Sequence, residues 1–352
     1  MKNHDVLHKN DVNSKLLKSE CSARWALLIR GPGIRVPSSA PKNREDSLES
    51  SRFFLFPNHC TPPELKNPET WADFESAFGE YAYYFKDSEE YLQLFEDFIE
   101  QFSLYLENQE CTFDDSKTDE MLRGMKKALS SYYNIRPADK AAVEAVIEPY
   151  AKTFNFVSFN YTRCLDKCID VIKNTPNSLS TISGEIGELV HVHGYTDRDL
   201  IMGVNDASQI EQDIFSQNET VLDEIVKPRQ NEIIRMNYDY RATQIINHSR
   251  IICIYGMSIG ETDQKWWKLI MQWLFSNTSN HLIVLQHRAP MRLVPAWRRF
   301  VESTRNLLYM YGDVPPEEQK LIENRIHIDI DHDIFAMNLR SDELGVKFTS
   351  LL

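Results

Sequence analysis

Two histidines separated by one residue are the side chains of this sequence best suited to acid–base chemistry. His191 and His193 lie in the run Val-His-Val-His-Gly at residues 190–194, and an imidazole titrates near neutral pH. A β-strand would place both on one face, with His193 at the strand end beside Gly194. We predict that His193 is a general base and His191 a structural group. No carboxylate or third histidine lies nearby to complete a metal site, so no metal is predicted.

A carboxamide and a hydroxyl follow a predicted strand at residues 153–158. They are Asn160 and Thr162 in the run Phe-Asn-Tyr-Thr, which precedes a predicted helix. The pattern fits two interpretations. The side chains could face a ligand, or one of them could cap the helix, which is worth about 1 kcal/mol.

A third segment, residues 255–263, reads Tyr-Gly-Met-Ser-Ile-Gly-Glu-Thr-Asp and joins a predicted buried strand to a predicted helix. Small residues at such a turn let backbone N–H groups approach a phosphate. The run also matches G-x-S-x-G around Ser258, the nucleophile elbow of serine hydrolases. Asp329 or Asp331 and then His332 follow in the order that such a hydrolase requires. Both interpretations stay open.

Strands that alternate with helices must position these segments. The apolar run at residues 250–255 is typical of a central parallel strand covered on both faces. The alternation predicts an α/β sheet with right-handed crossovers, in which ligands bind beyond the carboxyl ends of the strands. The turn Gly31-Pro-Gly33 after the first strand is then a candidate phosphate turn. Strands are predicted at residues 25–29, 153–158, 188–193, 200–203, 250–255, 281–286 and 325–330, and helices at 263–275 and 315–324.

A block rich in Glu, Phe, Tyr and Leu at helical spacing interrupts this alternation. We predict a polar extension over residues 1–23, an α/β domain over 24–352 and a helical insertion over 67–150 within it. Asp87 or Ser88 is expected to cap one insertion helix. The aromatic stripe of the insertion is expected to pack against the main domain. Residues 37–68 are predicted to be irregular, apart from one apolar run at 52–56.

Composition limits the classes of partner and the compartment. The 352 residues carry 39 Lys and Arg against 52 Asp and Glu, a net charge of −13 that opposes broad binding to nucleic acid or anionic membranes. The chain has neither a run of about 20 apolar residues nor the pattern of a signal peptide. The six cysteines form no C-x-x-C pair, although Cys164 and Cys168 would share a helix face. We therefore expect a cytoplasmic protein with reduced thiols.

The order of the motifs resembles a known family. Residues 159–162, His193 with Gly194, the run Met-Gly-Val-Asn at 202–205 and residues 255–263 follow one another as in the AbiH family of bacterial phage-defence (abortive infection) proteins. The resemblance runs from about Trp71 to the last predicted strand. The family is remotely similar to sirtuin-like NAD-binding domains. The resemblance to this family implies a Rossmann-like (sirtuin-like) parallel sheet with a helical insertion.

The resemblance also implies roles for individual residues. Asn160 would lie beside the nicotinamide ribose of NAD, His193 would be the adjacent base, and Gly256 with Ser258 would line the adenosine or phosphate side. The implied reaction is hydrolysis of the nicotinamide–ribose bond without a metal. The residues expected to contact the nucleotide are Gly31, Gly33, Tyr161, Thr162, Gly194, Gly203, Asn205, Gly256, Ser258 and Asp263.

The chain departs from the family after its first strand. Where the family has Gly-Asn-Gly-Phe-Asp, residues 31–35 read Gly-Pro-Gly-Ile-Arg. Pro32 removes a backbone N–H from the turn, and Arg35 places a donor-only cation where a carboxylate would accept bonds from ribose. These changes predict weak NAD turnover by the isolated chain.

Other functions remain open beside NAD hydrolysis. One is a non-catalytic module of a defence system that senses a nucleotide or binds a protein, and another is the Ser258 hydrolase. A protein deacylase is disfavoured because the paired C-x-x-C motifs of its zinc module are missing. The expected partners are a small-molecule nucleotide and either a second copy of the chain or a defence-system protein.

Overall fold

A six-stranded sheet forms the centre of the protein. The computed structural model describes residues 22–29 (backbone), 75, 78–111, 113–130, 132, 135–147, 151–182, 184–286, 291, 293–330 and 337. The strands are β1 (Ser22–Ile29), β2 (Ala151–Ser158), β3 (Gly184–His191), β4 (Ile251–Tyr255), β5 (His281–Gln286) and β6 (Ile326–Ile330).

All neighbouring strands run parallel, in the order β3-β2-β1-β4-β5-β6. Strand β1 lies in the middle of the sheet, β2 and β3 follow on one side of it, and the chain then crosses to β4 on the other. Parallel pairing brings the carboxyl ends of all six strands to one edge. The expected α/β class with a parallel sheet is therefore confirmed.

Helices cover both faces of this sheet. No helix in the described part of the chain is long and apolar enough to cross a membrane. The α-helices are α1 (Ser88–Cys111), α2 (Thr118–Leu129), α3 (Pro137–Ile147), α4 (Cys164–Asn174), α5 (Glu219–Ile225), α6 (Lys227–Ile234), α7 (Tyr238–Asn247), α8 (Gln264–Ser276), α9 (Val294–Tyr311) and α10 (Gln319–Ile322).

Strand β4 shows how the two faces are filled. All five of its residues are buried, as predicted for a central parallel strand. Ile252 and Ile254 pack in one apolar cluster with residues of α7, α8 and α9. Cys253 and Tyr255 point to the opposite face, in a second cluster with residues of α2, α3 and α4.

The helices before β2 pack their aromatic residues against the segments that follow β2 and β3. Phe78, Tyr91 and Phe95 share a buried cluster with Tyr161 and Phe215, as predicted for the aromatic stripe. The Tyr91 and Phe215 rings stack with centroids 5.5 Å apart. Helix α1 begins just after Asp87, whose Oδ1 accepts a hydrogen bond from the Glu89 N–H at 2.9 Å. The predicted capping role of Asp87 is thus confirmed.

Two strand predictions are wrong, one in the existence of the strand and the other in where it ends. Residues 200–203 form no strand because the side chain of Gln230 takes both main-chain bonds of Met202, and Gly203 has a φ of +134°. Strand β3 ends at His191, so His193 follows the strand instead of sharing a face with His191. The left-handed Gly194, with a φ of +68°, turns the chain there.

Two helix predictions also need correction. The helix predicted at residues 315–324 is reduced to α10, a single turn, since Pro315 and Pro316 precede it. Helices α5, α6, α7 and α9 have no counterpart in the prediction. The irregular segment predicted at residues 37–68 lies outside the described residues.

The amino edge of the sheet carries a chain of three hydrogen-bonded polar side chains, of which the two histidines are buried. The Asp139 carboxylate accepts from Nδ1–H of His327 at 2.9 Å, which leaves Nε2 of that ring to accept from Nδ1–H of His281 at 2.9 Å. The two imidazoles stack with a 4° angle between their planes. Burial, followed by the nearby His327 and Arg325, lowers the pKa of His281 from 6.5 to about 4.

This arrangement predicts a loss of stability in mild acid. In the unfolded chain His281 takes up its proton near pH 6.5, whereas in the folded chain it stays neutral down to about pH 4. Unfolding is therefore favoured increasingly as the pH falls between these values. The free energy of unfolding, measured with denaturant, should fall less between pH 7 and pH 4.5 for His281→Gln than for the wild type. The control is His248→Gln, at an exposed histidine. An equal fall in the free energy of unfolding for all three proteins would contradict the prediction.

Candidate functional site

The segments that follow β2, β3 and β4 meet at the carboxyl edge of the sheet. Phe159 lies between two rings from the other segments, with centroids 5.6 Å from His193 and 5.6 Å from Trp266. Tyr161 packs on the other side of His193 at 5.7 Å and meets Phe102 of α1 at 5.4 Å. A continuous row of rings thus joins helices α1 and α8 across the ends of β2 and β3.

A tight turn places His193 in this row. The Gly194 N–H donates to the His191 carbonyl at 3.3 Å, and the His193 carbonyl accepts from the Ile201 N–H at 2.9 Å. A Cβ atom on Gly194 would lie 1.8 Å from the Asp199 carbonyl oxygen, so only glycine fits. His193 is 4% exposed. Access to its ring is therefore limited to a small part of its edge.

His191 links the ends of β2 and β3 by two hydrogen bonds. Its Nδ1 lies 2.7 Å from the Asn160 carbonyl oxygen, and its Nε2 lies 2.9 Å from Oδ2 of Asp166 on α4. Both ring nitrogens of His191 therefore have an oxygen partner. The His191 side chain is fully buried, which agrees with the structural role predicted for it.

Tyr195 completes the packing around this pair. Its ring centroid lies 4.4 Å from that of His191, and Arg163 lies 4.2 Å above its ring. Nη2 of Arg163 donates to both carboxylate oxygens of Asp197, at 2.8 Å and 2.9 Å. Burial, and then the nearby Asp166 charge, raises the pKa of Tyr195. The phenol stays protonated beside the His191 and Asp166 pair.

Asn160 is fixed through its main chain. Its N–H donates to Ser158 Oγ at 3.2 Å, and its carbonyl accepts from His191. Helix α4 has Arg163 at its N-cap and no side-chain capping bond, so the capping interpretation of Asn160 and Thr162 is wrong. Within the described residues the Asn160 carboxamide makes no hydrogen bond. It is available to a ligand at this edge.

The run at residues 202–205 is attached to two neighbours. Gln230 of α6 bonds both main-chain groups of Met202, at 3.1 Å and 2.6 Å. Asn205 Nδ2 donates to the Glu261 carbonyl at 3.4 Å. A Cβ on Gly203 would lie 1.9 Å from the Ile225 carbonyl oxygen, so glycine is required there too. Asn205 therefore lies against the turn that follows β4.

That turn contains the remaining predicted contacts. Gly256 has a φ of +61°, and Asp263 is buried immediately before α8. The Gly260 carbonyl accepts from Trp267 Nε1 at 3.1 Å. Ser258 is exposed and makes no hydrogen bond within the described residues. The structure thus brings the turn to Asn205, while Gly31 and Gly33 lie outside the described residues, as do Asp331 and His332.

Residues 164 and 168 share one side of α4, as their spacing predicts. Cys168 is buried, and Cys164 is partly buried. Burial, with a smaller effect of Cys164, raises the pKa of the Cys168 thiol to about 12. This thiol is protonated at neutral pH and is a poor nucleophile.

Comparison with known proteins identifies the family. The family model for bacteriophage abortive infection AbiH proteins matches residues 45–284, more than half of the chain. The chain belongs to the AbiH family. This membership indicates a role in bacteriophage abortive infection. Comparisons with curated proteins and with solved structures find no match.

The AbiH match differs in extent from the resemblance seen in the sequence. It begins before Trp71 and ends within β5, ahead of the last strand. It contains Asn160, His193 and the turn after β4. The altered run at residues 31–35 precedes the matched region.

Sequence reasoning missed two residues that shape this edge, Asp166 and Gln230. Asp166 stands 25 positions before His191 along the chain, and Gln230 stands 28 positions after Met202. Both separations span several secondary-structure elements, so no local pattern links the partners. The one available signal was a carboxylate in the first turn of the helix that follows Asn160.

The buried pair gives a stability prediction. Asp166→Ala leaves a buried imidazole N–H without its acceptor, which should lower the free energy of unfolding by about 1–3 kcal/mol. Asp170→Ala, at an exposed position of the same helix, should change it by less than about 0.5 kcal/mol. Denaturant unfolding of both variants measures the difference. Equal effects would show that the Asp166 contact does not hold the strand ends.

Proposed function

We propose that this AbiH chain binds NAD or a related nucleotide at the carboxyl edge of its sheet and hydrolyses the nicotinamide–ribose bond. The observation that carries the proposal is the link from His191 to the Asn160 carbonyl, 2.7 Å long. It fixes the end of β2 against the end of β3, two residues before His193. A carboxamide and an imidazole thereby lie on adjacent strand ends.

The sheet order supports a Rossmann-like architecture for this proposal. The order β3-β2-β1-β4-β5-β6 is that of the doubly wound dinucleotide-binding fold. The order in which strands are added reverses between β1 and β4, and ligands of such sheets bind in the crevice at this point. The ends of β2 and β4 flank the proposed crevice. A sirtuin-like relation is part of the same proposal.

The proposed chemistry needs two groups from the chain. As the nicotinamide–ribose bond breaks, the electron pair leaves with nicotinamide and the ribose becomes oxocarbenium-like. The Asn160 carboxamide would orient a water toward the ribose C1′. His193 would accept a proton from that water as the new C–O bond forms. The phosphates would rest on backbone N–H groups at the turn after β4.

A second candidate is a non-catalytic nucleotide sensor in the same defence role. The burial of His193, which is 4% exposed, favours it because a base needs contact with its water. The departures at Pro32 and Arg35 favour it as well. Such a module would signal to a second copy of the chain or to a defence-system protein.

One pair of measurements distinguishes these candidates. Isothermal titration calorimetry of the full chain with NAD measures binding. The rate of nicotinamide release measures cleavage of the nicotinamide–ribose bond. We expect binding together with slow release, and His193→Ala should lower release by about 100-fold to 10,000-fold. His248→Ala is the control at an exposed histidine. His193→Gln, with unfolding midpoints for each variant, separates loss of the base from loss of the fold.

The outcomes divide as follows. Binding without release would support the sensor and reject hydrolysis. Absence of binding would reject both candidates. Release that survives His193→Gln would reject His193 as the base.

A further inference from the structure

A groove with a volume of about 630 Å³ lies between α1 and the pair of helices α5 and α6. Its size falls within the range of ligand sites in proteins. We call it the α1/α5 groove. Six of the residues that line it are apolar, and we refer to them as its floor: Phe95, Ile99, Leu200, Met202, Ile233 and Ile234.

The rim of the α1/α5 groove is acidic. It carries Glu96 and Glu100 from α1 and Asp223 and Glu224 from α5. Asp223 pairs with Arg229 at 3.2 Å, but the three glutamates have no ion-pair partner within the described residues. Burial, followed by the nearby Glu96 and Asp223 charges, raises the pKa of Glu224. The carboxylates on the two helices therefore repel one another across the groove.

We propose that the α1/α5 groove binds a cationic amphipathic segment of a partner protein. Apolar side chains of the segment would fill the floor, where Ile233 is 58% exposed. Its Lys or Arg side chains would pair with the three glutamates and relieve their repulsion. Helix-in-groove recognition by an amphipathic helix combines these two contacts.

Charge complementarity decides between this occupant and others. A second copy of the chain would bring a net charge of −13 to an acidic rim, which opposes that pairing. A small polyamine would satisfy the carboxylates but would fill little of an apolar floor of this size. A segment with both apolar and basic side chains matches both parts of the groove.

The α1/α5 groove also touches the segment that carries part of the candidate site. Leu200 and Met202 line its floor, and they lie between Gly194 and Gly203 in the chain. Gln230 also lines the groove and holds the main chain of Met202. A bound segment would thus contact the residues that connect the turn after β3 to Asn205.

Fluorescence anisotropy with a labelled model peptide tests the proposal on the full chain. The probe is a peptide of Leu and Lys, about five helical turns long, with all Lys residues on one face of the helix. The control peptide has Glu at every Lys position. We expect the Lys peptide to bind and the Glu peptide not to bind. Glu96→Gln with Glu100→Gln should weaken binding about tenfold. The matched control is Glu317→Gln with Glu318→Gln, an exposed pair elsewhere.

A second pair of variants tests the apolar floor. Ile233→Ser should weaken binding, and Leu321→Ser, at a position that is 66% exposed outside the groove, should not. Equal weakening by groove and control variants would show general charge attraction and overturn the proposal. Full displacement by spermine at the affinity of the peptide, with no effect of Ile233→Ser, would assign the groove to a small cation and also overturn it.

Discussion

Parallel pairing of β1 with both β2 and β4 is the constraint on which the rest of the structure depends. Pairs run from Ser22 with Ala151 to Ile29 with Ser158 on one side, and from Trp25 with Ile251 to Ile29 with Tyr255 on the other. The central strand thereby aligns the ends of two strands that are far apart in sequence. Without it, the segments after β2 and β4 would not share one edge.

A buried, hydrogen-bonded imidazole fixes the strand ends more closely than the sheet alone. The His191 side chain is fully buried, and both of its ring nitrogens have an oxygen partner, as buried polar groups generally do. One of these two bonds goes to the Asn160 carbonyl, so the ring also fixes a main-chain position. The row of rings from Trp266 to Phe102 packs the same region from the side. Geometry at the strand ends therefore depends on polar bonds and on packing together.

The sequence predicted those parts of the fold that have a local signal. The apolar run at β4, the strand β5 and the cap at Asp87 each depend on neighbouring residues. The segment at residues 200–203 has strand-like composition, but Gln230 occupies its hydrogen bonds, which no local pattern reveals. The burial of His193 likewise depends on Phe159 and Tyr161 from another strand. The sequence thus predicts elements that have a local signal, whereas contacts such as those of Asp166 and Gln230 become visible only in the tertiary structure.

The central claim is that a nucleotide binds at the carboxyl edge of the sheet, and hydrogen exchange of the full chain with and without NAD tests it most directly. We expect added protection in three segments, residues 159–163, 192–205 and 256–263. Little change is expected in α3, which packs on the opposite face of the sheet and bonds to His327 at its amino edge. Absence of protection at saturating NAD, or protection confined to other segments, would contradict the account.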